Sequence, residues 1–150
     1  MHYAAGRYER SIQSVEQALS LNPQLSDSDA RIGSALIHLG RLEEALSVCA
    51  KERFGLVRYP CLAVANWKLG NTAEAGKAQA ALIDAYGDGS LYQQAQILAQ
   101  TGEPDRAMET LYQALKAGDS GLTYLYIDPM LSSLRERTDY KQLLAQLGFV

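Results

Sequence analysis

Apolar side chains recur along this chain with the period of a helix. Ala107, Met108, Leu111, Ala114 and Leu115 share one face of a 3.6-residue repeat, and Ile12, Val15, Ala18 and Leu19 do the same near the start. A glycine precedes each such run. Gly6, Gly40, Gly70 and Gly102 recur at intervals of 34, 30 and 32 residues, each five residues before a small side chain: Ser11, Ala45, Ala75 and Ala107. Four copies of one layout predict a tandem array of helical hairpins.

The physics of one unit follows from its residues. A first helix ends at the glycine, which adopts the left-handed conformation without a Cβ penalty, and the next helix starts at once. Asn71 with Glu74 three residues on has the layout of an N-cap and its reciprocal partner, and Pro104 suits a first helical position. Small residues such as Ala107 and Ala114 let paired helices approach closely. Neither helix hides its apolar stripe alone, so the hairpins must stack into a superhelix.

This layout resembles the tetratricopeptide repeat, whose period is about 34 residues. Ile32, Gly33, Leu36, Gly40, Leu42 and Ala45 match the pattern in the second unit, and Gly6, Tyr8, Ala18 and Pro23 in the first. Ala95, Gly102, Ala107 and Ala114 match in the fourth. Departures stand at Glu52 and Ser11, where the family has alanine, and at Gln79, where it has an aromatic. The third unit is short by about one helical turn, so its first helix is expected to begin near Pro60 and to kink the superhelix there. Gly76 inside a helix costs about 1 kcal/mol relative to alanine, which makes that unit the least stable. The resemblance implies an all-α fold, a right-handed α-α superhelix of about three and a half units with a C-terminal helical cap. The expected boundaries are a half unit over 1–25, a unit over 26–55, the shortened unit over 56–87, a unit over 88–118 and the cap over 119–150.

The tail is not a fifth repeat. Asp128 is placed to cap a helix that starts at Pro129, with Met130, Leu131 and Leu134 on one face. Tyr140, Leu143, Leu144 and Leu147 form a second apolar face, so two short helices cover the last hairpin. The runs Gln94–Gln100, Gly102–Ala107, Leu125–Arg135 and Tyr140–Leu144 are similar to the repeat regions that end certain bacterial class III adenylate cyclases, winged-helix regulators and protein kinases. That likeness implies a regulatory or docking part of a larger bacterial signalling protein. The alternative is part of an enzyme, a cyclase or kinase, whose catalytic domain lies outside these residues. Residues 1–5 are too few to supply a first helix for the first unit. Ile12, Val15 and Leu19 are then expected to form an exposed apolar edge through which the chain self-associates.

Composition narrows the classes. The chain has 150 residues, 47% of them hydrophobic and 21% charged, enough for one domain with a buried core. Its net charge of −3, without clustered basic residues, argues against a nucleic-acid partner. No apolar run approaches the length of a membrane span, and Met1–Arg7 lacks the layout of a signal peptide. Cys49 and Cys61 form no disulfide framework; two free thiols fit a reducing cytoplasm.

Candidate chemistry is sparse. His38, Cys49 and Cys61 match no metal-ligand spacing, and Cys49 reads as a small core hydrophobe. Glu43 and Glu44 sit in a helix's first turn, where the dipole favours anions. Gly87–Ser90 lacks the lysine of a phosphate loop, and Arg135–Arg137 is too short a charge run for nucleic acid. His2 lies in a terminus expected to fray. No catalytic constellation and no cofactor site emerge.

What remains is the inner wall that the resemblance implies for the superhelix. Its residues are Asp27, Ser34, Ile37 and His38 from the second unit, Val64, Trp67 and Lys68 from the third, and Tyr92, Gln96 and Gln100 from the fourth. The family's carboxylate-clamp positions hold Ala30, Ser34, Pro60 and Val64, with Lys68 alone basic, which argues against capture of a peptide carboxylate. The expected partner is a protein or peptide segment anchored by Trp67 and Tyr92. Trp67 has a second reading, as a side chain packed between adjacent hairpins.

Overall fold

The computed structural model describes all residues from Met1 to Val150. It is all helical. In chain order the helices are α1 (Tyr8–Leu21), α2 (Ser28–His38), α3 (Leu42–Cys49), α4 (Gly55–Lys68), α5 (Thr72–Tyr86), α6 (Leu91–Gln100), α7 (Pro104–Ala117) and α8 (Thr138–Gln146). Short 3₁₀ segments at Gly87–Ser90, Ser120–Tyr124 and Pro129–Leu134 complete it. α2 pairs with α3, α4 with α5 and α6 with α7, and successive hairpins stack through α1 on α2, α3 on α4 and α4 on α6. No helix is long and apolar enough to cross a membrane.

The four glycines occupy equivalent elbows. Gly6, Gly40, Gly70 and Gly102 have φ of 69°, 73°, 84° and 83°, and a Cβ on any of them would meet nothing within 4 Å. The demand for glycine is therefore conformational and not steric. At each elbow the next residue's N–H reaches back to close the turn: Arg41 to the Leu36 carbonyl at 3.0 Å, Asn71 to Asn66 at 2.9 Å and Glu103 to Leu98 at 2.9 Å. Arg7 makes the same bond to His2, at 3.0 Å. Residues 2–6 thus form a hydrogen-bonded turn like those at the other elbows, and His2 is held in place.

The small residues lie where hairpin helices touch, with Ala45, Ala107 and Ala114 at 0% exposure. One buried cluster joins Ile32, Leu36, Cys49, Cys61, Val64 and Leu82 with Ile97. A second joins α6 and α7 to Leu122, Leu125, Leu134, Tyr140 and Leu143 of the tail. Met130 crosses over and packs into the first cluster, so the tail reaches beyond the hairpin it covers.

Several expectations need correction. α4 starts at Gly55, and Pro60 lies inside it, where it has no N–H to give to the helical ladder. The missing turn falls on α3 instead, which has 8 residues where α5 has 15 and α7 has 14. Glu52 fills the gap. This buried carboxylate accepts the Ala30 N–H of α2 at 3.2 Å and the Phe54 N–H at 2.9 Å. It serves backbone donors at the starts of two helices.

Asn71 does not cap α5; its amide donates to Asn66 Oδ1 at 3.3 Å, while Glu74 pairs with Lys77 at 2.6 Å. Ile12, Val15 and Leu19 are not an open edge, since all three pack half-buried against the first core cluster. Cys49 and Cys61 are not free thiols. Their Cα atoms are 5.7 Å apart and their sulfurs are bonded, joining the end of α3 to α4. Disulfides persist in oxidising surroundings, so the thiols give no ground for expecting a reducing compartment.

Two further expectations hold. Pro104 opens α7, and the Asp128 carboxylate accepts the Met130 N–H at 2.9 Å ahead of Pro129–Leu134.

Candidate functional site

The first helices of the hairpins face inward and line a channel of about 640 Å³. α2 contributes Asp27, Ala30, Arg31 and Ser34, α4 contributes Leu56, Val57 and Pro60, and α6 contributes Tyr92, Gln93 and Gln96. Two further walls come from the two ends of the chain. One is the N-terminal turn, with His2 and Tyr3; the other is the tail, with Asp119, Tyr124, Ile127 and Asp128.

Four of the ten residues expected on the inner wall meet there: Asp27, Ser34, Tyr92 and Gln96. Asp27 adopts φ 58°, left-handed for a non-glycine, at the start of α2, and its carboxylate holds the Arg31 guanidinium at 3.0 Å. Ile37 and Val64 point into the core instead, at 3% and 0% exposure. Trp67 and Lys68 end α4 on the outside of the channel, Trp67 being 42% exposed. His38 is stacked on Tyr8, with centroids 4.8 Å apart, and its Nε2 lies 3.1 Å from the Tyr3 hydroxyl.

The fourth unit's polar residues are engaged by the chain's own tail. The Tyr92 hydroxyl donates to Asp128 Oδ2 at 2.8 Å, and the Gln96 amide donates to the same oxygen at 2.6 Å. The Gln100 amide donates to the Met130 carbonyl at 2.7 Å, and the Tyr92 N–H to Asp119 at 3.0 Å. The tail therefore covers part of the inner face and forms one wall of the channel.

Electrostatics keep the hydroxyls protonated. Burial, then the Asp128 charge, pushes the Tyr3 and Tyr92 pKa values above the ordinary tyrosine value. Burial also lowers that of His38, helped by Lys68 and opposed by Asp128, so its imidazole favours the neutral form. Asp128 is 7% exposed and satisfied by hydrogen bonds alone; the Arg135 guanidinium bonds its backbone carbonyl at 3.3 Å.

Sequence reasoning missed His2, Tyr3, Gln93, Asp119 and Asp128 as channel walls. A signal existed for one of them. Asp119-Ser120-Gly121 has the composition of a turn whose glycine permits close backbone approach, and Gly121 lies directly on the Tyr92 ring.

Comparison with protein families returns the description "Tetratricopeptide repeat" twice, over residues 2–55 and over residues 89–117. The stretch between the two matches folds as the α4–α5 hairpin, in line with its neighbours. No curated protein and no solved structure matches the chain. With matches over more than half of its length and stacked helical hairpins throughout, the chain belongs to the tetratricopeptide repeat family, a class of protein–protein interaction scaffold.

Proposed function

We propose that this chain is the docking or regulatory module of a larger bacterial signalling protein, and that it seats an extended partner segment in the inner channel. The channel itself carries the reading: a concave, largely apolar space of about 640 Å³ bounded by the first helices of successive hairpins. Its walls offer apolar anchoring surface at Leu56, Val57 and Ile127 beside a small number of fixed polar groups. The tail's likeness to the ends of bacterial cyclases, winged-helix regulators and kinases supports the signalling context.

The test is a quantitative pull-down with the full chain and two variants. Val57→Trp fills the channel, and Trp67→Ala alters the exposed outer end of α4. The proposal predicts a partner retained by the native chain and by Trp67→Ala but lost with Val57→Trp. A partner retained by Val57→Trp at unchanged yield contradicts it.

A further inference from the structure

The channel wall carries more negative than positive side-chain charge, with Asp27, Asp119 and Asp128 against Arg31. Asp119 and Asp128 line it, and neither carboxylate is in an ion pair. Arg31 is the one Lys or Arg side chain that lines the channel, and Asp27 already holds it. Two more atoms of channel-lining residues are buried without any hydrogen-bond partner: Gln93 Oε1, an acceptor, and His2 Nδ1, an acceptor when Nε2 carries the proton. A buried acceptor left unpartnered is costly, so these two favour an occupant that carries donors.

We infer that the channel recognises its partner segment through an arginine side chain, which brings positive charge to Asp119 and Asp128 and hydrogen-bond donors to Gln93 and His2. This rests on the reading of the channel as a protein-binding site and names the chemistry of what enters it. A guanidinium carries five donors and no acceptor, and it stays charged at any physiological pH. Its aliphatic stem packs against Leu56, Val57 and Ile127. An acidic segment would face two carboxylates with no unpaired lysine or arginine beside them, and a purely apolar one would leave Gln93 Oε1 and His2 Nδ1 unpartnered.

Twelve-residue random peptides displayed on phage, selected against the full chain, provide the test. The recovered peptides are then resynthesised with citrulline, the neutral isostere, in place of each arginine. The inference predicts arginine in the recovered set, and at least a tenfold loss of affinity with citrulline at one position. Gln93→Lys should weaken the native peptides at least tenfold and Gln93→Glu should tighten them, both at unchanged melting temperature. The citrulline arm uses the native chain, so it stands even where a variant folds poorly. Peptides without arginine, or peptides indifferent to citrulline or to a folded Gln93→Lys, overturn the arginine assignment and leave the protein-binding channel standing. Failure to recover any peptide displaced by Val57→Trp removes the channel reading together with this inference.

Discussion

The Gly121 backbone lies on the ring of Tyr92 so closely that a Cβ at residue 121 would stand 2.5 Å from Tyr92 Cγ. Tyr92 cannot yield, because it is 3% exposed and tied through its hydroxyl to Asp128 and through its N–H to Asp119. Gly121→Ala is therefore expected to destabilise the chain by roughly 1–3 kcal/mol. Gly76 in α5 is the contrasting case, with open space around a Cβ. Gly76→Ala should gain about 1 kcal/mol. Urea unfolding of the two variants reads both signs.

Glu52 replaces a helical turn that α3 lacks. Glu52→Ala restores the residue that the repeat pattern favours, yet it removes the acceptor of the Ala30 and Phe54 N–H groups. The expected outcome is a loss of about 1–3 kcal/mol in urea unfolding, where local pattern alone would predict a gain.

The bonded Cys49–Cys61 pair closes a loop with a sequence separation of 12. Chain-entropy arguments assign such a loop about 3 kcal/mol. Non-reducing thiol titration of the unfolded protein should find no free thiol, and Cys49→Ala with Cys61→Ala should lower the unfolding free energy by about that amount. Gly33→Ala should also destabilise, since its Cβ would lie 2.5 Å from both sulfurs.

His38 predicts a pH dependence. Its folded pKa is lowered by burial first and by Lys68 second, so the unfolded chain takes up the proton more readily. Stability from this group is complete above the unfolded value of about 6.5 and is lost as pH falls below it. Melting temperatures between pH 5 and 8 should drop on the acid side, and His38→Gln should flatten that drop.

The elbows were legible because one glycine conformation recurs at fixed intervals, and the buried alanines followed from the same beat. The tail's start was legible from Asp128-Pro129, whose capping chemistry is local. The placement of the missing turn was not: its removal from α3 and not α4 depends on Glu52 reaching backbone donors at Ala30, 22 residues away. Nor was the disulfide, which needs Gly33 on a third helix to make room for both sulfurs. Six of the ten residues expected on the inner wall do not line the channel, for a related reason. Register within a helix identifies an inward face, but only long-range packing shows that the tail holds Tyr92, Gln96 and Gln100 and that Val64 belongs to the core.

Hydrogen–deuterium exchange of the full chain, with and without a peptide recovered by selection, bears most directly on the channel as the docking surface. The account predicts slowed exchange in the N-terminal turn, in α2, in α4 and around Asp119–Asp128, with α3, α5 and α7 unchanged. Protection confined to those outer helices would contradict it.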